Sequence, residues 1–276
     1  MSKTKHKAEI ALVIPARWGS TRFPGKCLHL IAGKPLVQHV WERSLRAKGI
    51  SSVLIATDDD RIAESALNFG ADVVMTAENH PSGTDRIAEV AERLHGITHF
   101  INVQGDEPLI DPKLIESLAS SMLEDPKTVM ITAATPFLNA SEAEDPNCVK
   151  VVVGASGNAL YFSRSRIPFH RDFHDPKSAV PPLLHLGIYG YRRDILRKLV
   201  SLSPTPLEQC EKLEQLRALE HGIPIRVVLT DHRGIGVDTP ADAVRVEKLL
   251  KNDARKRKTV TPVKKSGVGR TKTRSN

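Results

Sequence analysis

Four short strand-like runs alternate with four stretches of helical period over the first half of the chain, and few folds accommodate that alternation. The runs are Ile10–Ile14, Val53–Ala56, Asp72–Met75 and His99–Val103. The stretches that follow them are Pro35–Ala47, Arg61–Phe69, Asp85–Leu94 and Pro112–Leu123. In the first stretch Leu36, Val37, Val40, Trp41 and Leu45 fall on one helical face. Repeated strand–helix units place crossover helices on both faces of a mainly parallel sheet, so the expected class is α/β with three layers, α/β/α. The acidic triplet Asp58–Asp60 reads as helix-capping charge ahead of Arg61 rather than as a metal cluster.

The middle of the chain changes character. Val149–Val153 and Ala159–Ser163 are strand-like, and Gly154–Asn158 between them reads as a hairpin. Leu186–Tyr191 is a further strand, and Ile167–Pro182 is loop-like. These segments predict a smaller β-rich lobe at about 136–200, inserted in a main domain spanning 8–250. Leu207–His221 returns to helical period with Gly222 as its stop, followed by a strand at Arg226–Leu229 and a last helix at Ala241–Leu250.

Charge divides the chain unevenly. Residues 251–276 hold ten Lys or Arg against one acid, Asp253, so they carry +9 of a net +8 and leave the rest at −1. This tail has too little apolar surface to offset the entropy of ordering and is expected to be disordered. It contains no aromatic residue for base stacking, so contact with nucleic acid or an anionic surface through it is at most a side role. No apolar run approaches the ~20 residues of a membrane span. The apolar run at Ile10–Ile14 is too short for a signal sequence and is flanked by Glu9, so a cytoplasmic protein is expected. Cys27, Cys148 and Cys210 are odd in number and widely spaced, and they predict neither a zinc site nor a disulfide framework.

The loop Pro15–Lys26 follows the first strand with two glycines, two arginines and a lysine. Glycines let backbone amides approach oxyanions, and Arg17, Arg22 and Lys26 supply charged donors, which together suit a polyphosphate. A Walker A loop needs four residues between its glycines and then Lys-Ser/Thr. Here five residues separate Gly19 from Gly25, and Cys27 follows Lys26.

A second motif, Val103–Pro108, follows the fourth strand and sets Asp106 at a strand's carboxyl end, where open α/β sheets bind ligands. A carboxylate facing a triphosphate needs a cation between them. Mg²⁺, which takes one or two protein carboxylates plus phosphates and waters, is the economical choice. Asp238, in Gly236–Pro240, is the second candidate ligand. Its position ahead of Pro240 equally suits a helix N-cap, and the sequence leaves both readings open.

The chain resembles the 3-deoxy-manno-octulosonate cytidylyltransferases, the CMP-Kdo synthetases, in eight ordered segments. They are PARWGSTRFPGK (Pro15–Lys26), HPSGTDR (His80–Arg86), VQGDEPLI (Val103–Ile110), NCVKVV (Asn147–Val152), ALYFSRSRIP (Ala159–Pro168), HLGIYGY (His185–Tyr191), LEQLR (Leu213–Arg217) and GVDTP (Gly236–Pro240). Cys27 stands where the family commonly has Pro, and the basic tail is outside the family pattern. The resemblance implies a Rossmann-like nucleotidyltransferase fold, a homodimer, and transfer of CMP from CTP to the anomeric C2 hydroxyl of Kdo with Mg²⁺. It implies catalytic roles for Arg17, Lys26, Asp106 and Asp238, the two acids being the metal ligands. Arg17, Arg22, Lys26, Ser82, Gly83, Arg86, Gln104 and Asp106 would bind nucleotide, and Arg164, His185, Tyr189, Glu214 and Gln215 the sugar acid. Strand alternation sets His185, Tyr189 and Tyr191 on one face, away from Leu186 and Ile188. The rival enzyme reading is a synthetase for sialic acid or an amino analogue of Kdo, and a catalytically dead sugar-nucleotide binder is the rival of another class.

Overall fold

The computed structural model describes residues 8–19, 23–171 and 180–259. Its first half is the expected alternation: β1 (Ile10–Ala16), α1 (Leu36–Ser44), β4 (Ser52–Thr57), α2 (Asp60–Asn68), β5 (Asp72–Met75), α3 (Gly83–Arg93), β6 (His99–Asn102) and α4 (Pro112–Glu124). A two-stranded ribbon, β2 (Leu30–Ile31) with β3 (Lys34–Pro35), is interposed before α1. Asp59 caps α2 by accepting from the amides of Arg61 and Ile62, as expected of that acidic triplet.

The second half contributes β7 (Met130–Pro136), α5 (Ala140–Glu144), β8 (Lys150–Val153), β9 (Ala159–Ser163), β10 (Leu183–Arg192), α6 (Arg193–Ser201), α7 (Pro206–Glu211), α8 (Gln215–Glu220), β11 (Arg226–Leu229) and α9 (Pro240–Thr259). The main path of the sheet runs β11-β7-β10-β6-β1-β4-β5. β4, β1, β6 and β5 associate in parallel, as do β7 and β11, while β10 lies antiparallel between β6 and β7. The β8–β9 hairpin forms as expected, and β8 pairs with the start of β10, so the β-rich part is continuous with the main sheet. The chain leaves β1 toward β4 on one side and returns as β6 on the other. A crevice therefore opens at the carboxyl ends of β1 and β6, the switch point where open α/β sheets bind ligands.

Alternation along β1 divides the core between the two faces. Ile10, Leu12 and Ile14 pack with Val37, Val40, Ile62 and Leu118 on one face. Ala11 and Val13 pack with Ile87, Val90 and Leu196 on the other. A smaller cluster joins Ile31 and Leu36 to Val237, Ala243 and Val246, which seats α9 against the ribbon.

Several features depart from the sequence expectation, which included neither the β2–β3 ribbon nor α5 and α6. β7 was not anticipated, because the adjacent Ala133 and Ala134 at its centre carry little strand signal, yet Met130–Thr135 are all buried. The single helix expected at Leu207–His221 is two, broken where Lys212 adopts the left-handed conformation (φ 54°, ψ 47°). The last helix runs past Leu250 to Thr259; residues 260–276 of the basic tail lie outside the described residues. Among the described residues no helix is long and apolar enough to cross a membrane, and all three cysteines are free thiols.

Candidate active site

The loop after β1 is shaped by one glycine and one aromatic ring. Gly25 is left-handed (φ 66°) and its amide donates to Trp18 O at 3.1 Å, closing the loop. A Cβ on Gly25 would lie 2.8 Å from the Trp18 ring, so the indole and the turn exclude any larger residue there. The other face of this arrangement is held by Arg61, whose guanidinium stacks 3.4 Å from the Trp18 ring centroid and is fixed by Asp59. Arg17 is exposed on the loop. Arg22, expected beside it, lies outside the described residues.

Lys26 follows Gly25 directly, and its Nζ reaches Asp106 Oδ2 at 2.5 Å, Asp238 Oδ1 at 3.1 Å and Val237 O at 3.3 Å. Residues distant in sequence thus converge on one cation. Asp106 comes from the turn after β6, where the amide of Glu107 donates to Gln104 O. Gly105 in that turn lies against β1, and a Cβ there would stand 2.9 Å from Pro15 O. Asp238 is delivered by a backbone bond from the amide of Val237 to Asp106 O at 2.9 Å. Burial works against the Lys26 ammonium, but the Asp106 and Asp238 carboxylates outweigh it and hold its pKa above the usual lysine value. Burial, then the charge of Asp106, pushes the neighbouring Glu107 carboxyl up to about 7.

The α9 N-terminus is capped by the neighbours of Asp238. Thr239 Oγ1 accepts from the amide of Asp242, and Asp242 Oδ2 accepts from the amides of Asp238 and Thr239. These two residues cap α9, which leaves the Asp238 carboxylate directed at Lys26.

Two cavities are lined by Gln104, from the turn that carries Asp106, and neither is lined by Lys26, Asp106 or Asp238 themselves. The first, of about 310 Å³, is lined by Arg17, His80, Ser82, Gly83, Arg86 and Gln104 among others. Ser82 also caps α3, accepting from the amides of Thr84 and Asp85 and donating to Asp85 Oδ2. Arg86 forms part of the wall, but its guanidinium is committed to Asp58 and Thr76, which makes it a support of the cavity more than a free donor. The second cavity, of about 210 Å³, is lined by Asn102, Gln104, Tyr189, Tyr191, Glu214 and Gln215. Gly83 and Gln104 line both, so the two cavities share a wall.

Of the residues expected at the sugar acid, Tyr189, Glu214 and Gln215 therefore come together. The break at Lys212 restarts the helix at Gln215, with Glu214 as its N-cap, and directs both at the cavity. The Gln215 Nε2 is buried and has no hydrogen-bond partner, which costs about 1–3 kcal/mol unless a ligand supplies one. His185 lies behind Tyr189, with its Nε2 2.8 Å from Tyr189 Oη and 3.1 Å from Thr132 Oγ1. Burial lowers its pKa to about 3, so it is a neutral prop for the tyrosine. The expected facing of the strand holds: Tyr189 and Tyr191 stack at 5.9 Å, while Leu186 and Ile188 enter the opposite core.

Arg164 is not brought to the cavity, contrary to the expected contact with the sugar carboxylate. Its Nε donates to Glu211 O at 2.7 Å, Nη1 to Pro146 O at 3.0 Å and Nη2 to Lys212 O at 3.4 Å. The guanidinium tethers the turn between α7 and α8 instead. Arg164→Ala is therefore expected to cost about 1–3 kcal/mol of stability, with KM for the sugar changed only indirectly. Gln215→Leu is expected to raise that KM with little change in the melting temperature. Paired kinetics and thermal melts check both, and a selective KM rise in Arg164→Ala at unchanged stability would reverse the assignment.

Asn102 belongs to the site and was not anticipated. It is buried at the end of β6, paired in the ladder with Tyr189, and its Oδ1 accepts from Gln104 Nε2 at 3.2 Å. The available signal was one amide ending an otherwise apolar run.

Comparison with known proteins was made against this geometry. The family model for cytidylyltransferases matches residues 11–226. The chain is 51% identical over 249 residues to the 3-deoxy-manno-octulosonate cytidylyltransferase of Geobacter sulfurreducens, covering 88% of this chain and 99% of the relative. It is 49% identical over 239 residues to that of Myxococcus xanthus, covering 87% and 95%. A solved CMP:2-keto-3-deoxy-manno-octonic acid synthetase complexed with CTP superposes with a TM-score of 0.84 at 43% identity, covering 89% of this chain and all of that one.

Proposed function

The chain belongs to the 3-deoxy-manno-octulosonate cytidylyltransferase family, and from that premise we infer the chemistry of its site. The enzyme transfers CMP from CTP to the anomeric C2 hydroxyl of Kdo, releasing pyrophosphate and activating Kdo for lipopolysaccharide biosynthesis. The observation that carries the residue-level reading is the convergence of Asp106, Asp238 and Lys26, with Gln104 of the Asp106 turn in the common wall of two cavities.

In this reading the first cavity takes the cytidine, with Ser82, Gly83 and Gln104 as its polar edge. Arg17 and Lys26, with Arg22 from the same loop, neutralise charge growing on the leaving pyrophosphate. The second cavity takes the sugar acid, whose hydroxyls meet Tyr189, Glu214 and the unpartnered Gln215 Nε2. Gln104 stands between donor and acceptor and holds the two at a fixed relation, its amide anchored by Asn102.

Asp106 and Asp238 would hold a divalent cation, which we take to be Mg²⁺. Two carboxylates already meeting on one cationic centre fit it, and among the described residues no larger cluster of His, Cys, Asp or Glu offers an all-protein cage. Bound there, it supplies charge neutralisation at the α-phosphate and acidifies the attacking hydroxyl. The same family likeness supports a homodimer and a cytoplasmic location.

Pyrophosphate release tests the reading. It is expected with CTP plus Kdo, to be far weaker with CTP plus sialic acid or with UTP plus Kdo, and to cease in EDTA. Full turnover in chelator would overturn the metal assignment, and preference for sialic acid the substrate.

A further inference from the structure

Lys26 is placed where binding a phosphate does not require it to be. Its ammonium contacts both metal-binding candidates and the carbonyl between them, rather than projecting into the loop Pro15–Lys26 with Arg17. The side chain is only 15% exposed, so water screens it little. A divalent ion on the same carboxylates would have its oxygen ligands at about 2.0–2.1 Å. With the ammonium 2.5 Å from Asp106 Oδ2, the two cations would then stand no more than about 5 Å apart in a partly buried site, where like charges repel strongly.

We propose that the Lys26 ammonium and the divalent cation are alternative occupants of the space between Asp106 and Asp238, exchanged when CTP binds. The proposal rests on the reading of those two acids as metal ligands. In the nucleotide-free enzyme Lys26 offsets one of the pair's two negative charges and keeps its geometry. When the triphosphate arrives, its oxygens offer the ammonium a new partner, and the metal accompanying the nucleotide takes over the carboxylates.

The chain is built for such a move. The backbone of Lys26 is pinned, its amide donating to Phe23 O at 3.2 Å and its carbonyl accepting from the amide of His29 at 3.1 Å. Motion is thereby confined to the side chain. A lysine, a point charge on a flexible four-carbon stem, can pivot between partners where the planar arginine fork would demand a fixed one. The exchange makes metal and nucleotide mutually dependent: each removes the obstacle to the other, and linkage requires the enhancement to be equal in both directions. Metal is then taken up chiefly as its nucleotide complex.

Mn²⁺ binding to the full chain, followed by loss of the free-ion paramagnetic resonance signal, tests this without turnover. Wild type is expected to bind Mn²⁺ alone weakly and about tenfold or more tightly with CTP present, after correction for the Mn²⁺ that CTP holds by itself, measured in the same titration without protein. Lys26→Met is expected to bind Mn²⁺ alone about tenfold more tightly than wild type, with most of the CTP enhancement gone. Lys26→Gln should behave in the same way, and circular dichroism verifies that each is folded. Equal Mn²⁺ affinity in wild type and both folded variants, with Asp238→Asn weakening all of them, would overturn the exchange while leaving the acids as ligands. Mn²⁺ affinity indifferent to Asp106→Asn and Asp238→Asn would instead remove the metal reading on which the exchange depends.

Discussion

Asp106→Asn and Asp238→Asn are each expected to lower kcat for CMP-Kdo formation by about a hundredfold or more, with the melting temperature nearly unchanged. Each change removes one negative charge from the pair that would clamp the metal, at nearly constant volume. The fold's ties here are made by other atoms: the Val237–Asp106 bond is backbone, and α9 is capped by Thr239 and Asp242, while an Asn amide oxygen can still accept from Lys26. Steady-state pyrophosphate release at saturating CTP and Kdo, beside thermal melts, measures both sides. An Asp238→Asn enzyme that keeps its kcat would remove Asp238 from the metal site, and since Asn caps a helix as well as Asp, an unchanged melting temperature is expected in either case.

Gly105→Ala should damage stability and catalysis together. The added Cβ would stand 2.9 Å from Pro15 O and 3.6 Å from Ile14 Cγ2. Pro15 belongs to β1, held in the ladder beside β4, so a backbone oxygen rather than a flexible side chain would have to yield. Overpacking of this kind costs about 1–3 kcal/mol, worth about 2–4 °C of melting temperature per kcal/mol in a chain near this size. Because the turn carries Asp106 and abuts the strand that bears the phosphate loop, the same displacement should reduce kcat more than tenfold. Gly236→Ala is the control, since a Cβ there meets nothing within 4 Å. A Gly105→Ala enzyme with wild-type melting and kcat would show that the turn is not the joint between the two loops.

The parts of the molecule legible in advance were those set by local chemistry. Strand and helix periods in residues 10–124 predicted the parallel half, because each strand there is covered by the helix that follows it. The Pro15–Lys26 loop and Asp106 could be placed at strand ends for the same reason. β7 and β10 were harder. One has two adjacent alanines, Ala133 and Ala134, at its centre, and the other lies antiparallel at the centre by pairing with strands distant in sequence. The division at Lys212 was also hidden, since its flanks share one helical period and only the left-handed residue separates them.

The roles of individual polar residues required the fold. Sequence alone determined the α/β class, the order of the motifs and the kinds of residue offered to phosphate and metal, because period, glycine placement and charge are properties of neighbouring residues. It left Asp238 equally a cap or a ligand and Arg164 a candidate sugar contact, because a side chain's partner is chosen by what lies across space. The tertiary structure shows what each of them touches. Thr239 and Asp242 satisfy the α9 terminus, which leaves Asp238 for Lys26. Three carbonyls around the 211–212 turn and Pro146 satisfy Arg164, which takes it from the cavity. A buried or partly buried polar group is governed by its obligation to find a partner, and which partner is within reach is known only once the chain has folded.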